Sequence, residues 1–252
     1  LNGIAFQGVG SETTIEHIQV HMNSDDGVEF FGGTANAKYI VLTGEGDDSL
    51  DWTDGWQGNV QFVVVQQYAG AADRGIEADN NSDNNDKEPR SRPTISNMTL
   101  IGHDDGDTGV LLRRGTGARL YNFIVTNFPD ACLDLDNSAT YENGWDGGEL
   151  TGELEIQNSI VHDCPEMFDE DDSDDAPMTV QEWFEAGENN QEADPMLGDP
   201  TSVDSPDYLP ASDSPAMADS IQPDDDFFED VDFIGAFGEE DWTEGWTIHT
   251  DE

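Results

Sequence analysis

Two interleaved series of short apolar runs that share one period constrain this chain more than any other feature. The first comprises Ile15–Val20, Ala37–Leu42, Val60–Val65, Ile95–Leu100, Leu120–Val125 and Ile156–Val161. Their starts lie 22, 23, 35, 25 and 36 residues apart, and positions one, four and six are apolar except at Ser159. A bend followed by two-residue alternation turns those three side chains to one side. The second series is Ile4-Ala-Phe6, Val28-Glu-Phe30, Leu50-Asp-Trp52, Ile76-Glu-Ala78, Val110-Leu-Leu112 and Leu133-Asp-Leu135. Two strand series with one period and no helical crossover describe successive coils of a solenoid. A βαβ fold would need a crossover of about a dozen residues between parallel strands, and none is present. The spacing therefore predicts an all-β, right-handed parallel β-helix over 1–166.

Two insertions, Asn80–Pro93 and Ser138–Gly152, fall at the same corner of the repeat, where loops of a solenoid share one face. After Glu166 the repeat fades. Residues 167–252 read as an acidic linker (Asp169–Asp175), a short helix, and an irregular cap. The helix is expected over Thr179–Ala186, with Thr179 and Glu182 spaced as a capping box. An aromatic tail (Phe227, Phe228, Phe233, Phe237, Trp242, Trp246) is expected to cover the last open strand edge.

Charge supplies the next constraint. Asp and Glu number 57 against 8 Lys and Arg, a formal net charge of −49. That balance excludes nucleic acid and anionic membranes as partners, since both require basic patches. Self-repulsion of this size destabilises a compact state unless salt or bound cations screen it. No run approaches the ~18 apolar residues of a membrane span. Leu1 reads as the start of a processed or trimmed fragment. Cys132 and Cys164, the only cysteines, are compatible with one disulfide or with two buried thiols.

Three residues before each strand of the second series from Val28 onward stands an aspartate: Asp25, Asp47, Asp73, Asp107 and Asp130. Neighbouring coils would place them about 4.8 Å apart. One reading is a turn-capping ladder, each carboxylate accepting backbone N–H groups, with Gly27, Gly75 and Gly109 just before the strands. The other is a calcium row, because hard cations take several oxygens and relieve stacked like charge. Asp26 and Asp48 double the charge at two rungs, which makes the Asp25–Asp48 region the foremost cation candidate.

On the solvent side of the same strands lie Glu29, Asp51, Glu77, Leu111 and Asp134, then Phe31, Thr53, Asp79, Arg113 and Asp136. Arg113, Glu77 and Asp79 are the candidates for chemistry: a saccharide groove would use an Arg to hold a carboxylate and the acids as acid/base groups or metal ligands. The plainer reading is an ion-pair stack. Trp52 is expected in the core, Phe31 and Trp56 at the surface. Asn97, Asn122 and Asn158, at position three of the first series, read as an internal turn ladder. His17, His21, His103, His162 and His249 have no metal-ligand spacing.

The segments Leu1–Gly10, Thr14–Val20, Ser24–Gly33, Gly46–Trp52, Gly75–Asn81, Leu111–Gly115, Phe233–Gly238 and Asp241–Thr247 resemble large secreted or lipid-anchored β-helical surface proteins of marine and environmental Gram-negative bacteria. These are often labelled hypothetical or multidrug transporters. The resemblance covers nearly the whole chain. It implies a cell-surface or extracellular location and a further β-helical region before Leu1, and it carries no catalytic residues. The expected function is a calcium-binding structural or adhesive protein able to assemble into homo-oligomers or fibres through the β-helix ends. The alternative is a polysaccharide lyase, a glycoside hydrolase or a carbohydrate-binding module.

Overall fold

The computed structural model describes all residues except 71, 171–175 and 250–252. Most of the linker expected at 169–175 therefore lies outside the described residues.

The chain coils into a parallel β-helix with two principal sheets. The short-strand sheet runs Ile4–Gln7, Val28–Phe31, Leu50–Thr53, Ile76–Asp79, Val110–Arg113, Ala131–Leu135 and Glu166–Asp169, each strand beside the same strand of the next coil. The long-strand sheet runs Glu16–His21, Ala37–Thr43, Asn59–Gln66, Thr94–Ile101, Ala118–Thr126, Ile160–His162 and Gln191–Glu192. Leu154–Gln157 also pairs with Ala118–Thr126. The registers follow the apolar pattern: Ile4, Val28, Leu50, Ile76, Val110 and Leu133 are successive partners. Ala37, Val60, Ile95, Leu120 and Ile156 form the corresponding column opposite. A slip of one residue would turn each apolar set to solvent, so burial fixes the register.

Between the sheets the core is continuous, from Ile15 and Val28 through Leu50, Ile76, Val110 and Leu133 to Trp183 and Phe184. Trp52 is buried as expected. Trp56, expected at the surface, is fully buried: its ring stacks on Phe30 with centroids 4.0 Å apart, and its indole N–H donates to the Ala35 carbonyl at 3.1 Å. The turn Asp54–Gly55 drives the ring inward, with both residues at positive φ, a corner the alternation rule does not describe. Gly27, Gly75 and Gly109 are needed because an added Cβ would come within 2.5–2.6 Å of a carbonyl oxygen of the next coil.

The loop 138–152 is more ordered than a plain insertion, forming helix α1 (Ser138–Gly144) and a two-stranded hairpin, Trp145–Asp146 with Glu149–Leu150. Helix α2 (Val180–Ala186) carries the expected capping box of Thr179 and Glu182. It closes the end of the core: the Trp183 indole N–H donates to Leu154 O, and Phe184 packs on Phe168. Cys132 and Cys164 form a disulfide that ties neighbouring coils together.

The aromatic tail does not cover the last strand edge. It runs back over the outer face of the long-strand sheet, from Ala193 beside Val161 to Ile248 beside Gln19 of the first coil. The asparagines expected to form an internal turn ladder are its anchors. Asn97, Asn122 and Asn158, with His17, Tyr39 and Phe62, occupy one column at positive φ, between 50° and 61°. Asn tolerates that region better than other side chains. The bend turns each side chain outward: Asn97 donates to Phe233 O, Asn122 to Ile221 O, and Asn158 to Asp219 O. In the upper coils His17, Tyr39 and Phe62 stack in a row instead, with Trp246 and Trp242 edge-on against the first two.

Candidate metal centre

The corner before each short strand and the outward positions within it share one surface, so turn and strand carboxylates converge. Four overlapping triads form, each with one oxygen per residue within 4.8 Å of the others. They are Asp25–Asp26–Asp47, Asp26–Glu29–Asp51, Asp47–Asp48–Asp73 and Asp48–Asp51–Glu77. In sequence the aspartate column and the Glu29–Asp51–Glu77 row are two separate periodic sets; the structure merges them into one array of eight carboxylates. No histidine or cysteine belongs to these triads.

Within the array, backbone capping falls on the more buried partner of each Asp-Asp pair. Asp26 accepts from the Asp48 N–H, and Asp48 accepts from the Arg74 N–H at 3.0 Å. The outer column continues through Asp107 and Asp130, but these two join none of the triads. At their coil the outward strand position is Leu111 rather than an acid, and beside Asp107 stands Arg74, a cation with no place in the repeat. Its guanidinium lies 2.6 Å from Asp73, 3.1 Å from Glu77 and 3.2 Å from Asp107. The signal was its position directly after a column aspartate, in a chain with few cations. One coil on, Arg113 pairs with Glu77 and Asp79, and Arg114 lies 2.5 Å from Asp79. The chain thus supplies its own cations at Asp73, Glu77, Asp79 and Asp107.

The rungs of Asp26, Glu29, Asp48 and Asp51 receive less, Arg74 reaching only to 4.0 Å from Asp48. Among the described residues no Lys or Arg pairs with Asp26, Glu29 or Asp51, and the nearest hydrogen-bonding partner of Glu29 is the Asn2 amide. Burial, reinforced by Glu29, Asp26, Glu77 and Asp48, pushes the Asp51 carboxyl up to about 10. Burial and then Glu77 push Asp48 up to about 8, against the opposing Arg74. Burial lifts Glu29 to about 7 and raises Asp26 and Asp47, to which neighbouring aspartates add. Such groups either hold protons or hold a cation.

The array opens into a cleft of about 520 Å³, lined by Glu29, Asp51, Glu77 and Asp79, with Arg114 and Lys87 also on its walls. Loop 80–93 supplies Asn81, Ser82 and Asp83. Asn81 and Lys87 are tethered to Asp54, at 2.7 and 3.4 Å. Of the candidates for chemistry, Glu77 and Asp79 reach the cleft, whereas Arg113 is engaged by both of them beside it.

The pectate-lyase-like β-helix domain model matches residues 1–247, almost the entire chain. The chain belongs to this family. Neither a curated protein nor a solved structure matches it. Membership of the pectate-lyase-like β-helix family agrees with the parallel register of both sheets, and it assigns no residue a role.

Proposed function

We propose that this pectate-lyase-like β-helix is a calcium-binding structural or adhesive protein of the cell surface or extracellular space. The observation that carries the reading is the Asp26–Glu29–Asp51 triad, buried among like charges and supplied with no cation of the chain's own. Hard oxygen ligands without His or Cys favour calcium over zinc or copper. The Cys132–Cys164 disulfide fits an oxidising compartment. Ile4–Gln7 and Glu16–His21 are the edge strands at one end of their sheets, while α2 covers the core at the other.

The test is thermal unfolding at fixed high sodium chloride, in EDTA and then with calcium or magnesium. A ligand at a hundred times its Kd stabilises the native state by about 2.7 kcal/mol. A calcium-specific rise in Tm supports the reading. No rise, or an equal rise with magnesium, removes it.

A second reading is polysaccharide recognition or cleavage at the same face, favoured by the position of Arg114 and Lys87 on walls of the carboxylate cleft and by the family. It predicts turnover or binding of an acidic polysaccharide that Arg114→Ala abolishes. Arg113→Ala, the substitution favoured by sequence alone, would release Glu77 and Asp79 as well and is the less selective probe.

A further inference from the structure

A second cleft, of about 490 Å³, opens at the corner that follows the long strands of the later coils. Ile101, Thr126 and His162 are partners in register there. The residue after each lines the cleft: Gly102, Asn127 and Asp163. Asn127 and Asp163 turn the chain at positive φ, 65° and 50°, and the Asn127 amide donates to Asp163 Oδ2 at 3.2 Å. Pro129 and Pro165 add apolar surface. Asp104 and Asp163 are the carboxylates of the wall, and among the described residues no Lys or Arg lines it.

Cys164 belongs to the same wall and keeps 6% of its surface exposed. Its disulfide partner Cys132 is fully buried in the core, with its sulfur 3.5 Å from Val125 O and 4.0 Å from Met167 Sδ. The two halves of the bond therefore differ for a reagent arriving from solvent. Thiol–disulfide exchange requires a thiolate to reach one sulfur, so access decides which partner is attacked. The cleft has the volume of a small-molecule site.

We propose that this cleft is a thiol-exchange site, which admits a small cationic thiol to Cys164 and so opens the tie between neighbouring coils. The incoming thiolate bonds to Cys164 Sγ and the Cys132–Cys164 bond breaks. The electron pair leaves on Cys132 Sγ, which takes a proton from water. The carbonyl oxygens of Val125 and His162, 3.5 and 3.7 Å from that sulfur, can accept the new thiol hydrogen. A second thiolate then attacks the sulfur of the first reagent molecule. Cys164 leaves as a thiolate and is protonated, the reagent departs as its disulfide, and two thiols have supplied the two electrons. Asp104 and Asp163 favour an ammonium-bearing thiol over an anionic one. The bond that opens helps to close the far end of the core. Glu166–Asp169, just after Cys164, pairs with Ala131–Leu135, and its Phe168 packs on Phe184 of α2. The site goes beyond the calcium reading, and none of its residues belongs to the carboxylate triads.

The experiment follows loss of the disulfide in the full chain, by N-ethylmaleimide trapping and mass spectrometry. Cysteamine, 2-mercaptoethanol and 3-mercaptopropionate are compared per thiolate, in EDTA and about 0.1 M sodium chloride, where charges act over about 10 Å. Rates should be linear in thiol and unchanged by urea below the unfolding transition. Cysteamine should react roughly tenfold faster than 3-mercaptopropionate, with 2-mercaptoethanol between them. Asp104→Asn combined with Asp163→Asn should cut that preference roughly threefold, and Asn suits the positive φ at 163. Cys132→Ser, which leaves one thiol on the cleft wall, should form a mixed disulfide with cystamine without urea. Cys164→Ser, which leaves the thiol in the core, should react at least about tenfold more slowly. The urea dependence of the parent decides the matter where a Ser variant fails to fold. Reduction that appears only with unfolding overturns the site, as does equal reaction of the two Ser variants. Equal rates for the two charged thiols, or a preference that the Asn pair leaves intact, overturn the cationic assignment.

Discussion

Replacing Asp51 by Asn should make the calcium-free protein more stable and the calcium-loaded protein less responsive. Asp51 faces Glu29, Asp26, Glu77 and Asp48 from a half-buried position, and its carboxyl is pushed up to about 10. An acid whose folded pKa lies above its unfolded value stabilises the fold fully only below the unfolded value. That contribution is lost as pH rises towards the folded one. At pH 7 the unfolded chain has Asp51 ionised and the folded chain has it protonated. The gap from 3.8 to pH 7 is about three pH units, at about 1.4 kcal/mol each, so the penalty is about 4 kcal/mol. Relaxation and solvent entry reduce this to about 2 kcal/mol, or a Tm change of about 4–8 °C for a chain of this size. Asn keeps the shape and carries no charge. In EDTA at pH 7, Asp51→Asn should therefore melt several degrees higher than the parent, and at pH 4 the two should coincide. With calcium the order should close or invert, because the parent gains a ligand set that the variant lacks. Scanning calorimetry at two pH values, with and without calcium, reads all four states. A variant that melts lower than the parent in EDTA at pH 7, or that gains as much from calcium, would refute the reasoning.

Glu45 is 2% exposed, and burial lifts it to about 8, with one carboxylate oxygen lacking a hydrogen bond. Its share of stability should therefore be lost between about pH 5 and pH 8, and Glu45→Gln should flatten that part of the curve in urea titrations at several pH values. Asn122→Ala removes two hydrogen bonds to Ile221 and places alanine at φ 58°. A loss of about 2–3 kcal/mol and faster proteolysis near residues 219–233 should follow, seen by limited digestion and mass spectrometry. Reducing Cys132–Cys164, which closes a span of 32 residues, should cost about 3–4 kcal/mol. Chemical denaturation with and without reductant measures it.

The coils were legible because each inward position is duplicated about every 22 to 36 residues, so the register of Val28, Leu50, Ile76, Val110 and Leu133 could be counted directly. The aspartate column was legible for the same reason. Its merger with Glu29, Asp51 and Glu77 was not, because a corner rotates the chain and joins positions that alternation alone assigns to separate rows. Arg74 was missed because a single cation carries no period. Trp56 was misplaced because the Asp54–Gly55 turn lies between repeats and its side-chain direction depends on two positive φ values. The asparagine column was visible, but its partners lie 61 to 138 residues away in a segment with no repeat, so only the folded chain shows what it holds.

In a solenoid, each coil meets only its neighbours, and unfolding can begin at an end and travel inward one unit at a time. The returning tail changes that arithmetic. Gln19 exchanges two hydrogen bonds with Ile248 across 229 residues, and the Asn97, Asn122 and Asn158 anchors stitch the intervening coils to the same segment. The first coils cannot fray without freeing the tail, and the tail cannot leave without uncovering every coil it crosses. A chain whose local contacts suggest a row of loosely linked units is thereby made to melt as one, at the cost of a late, long-range closure that slows its folding.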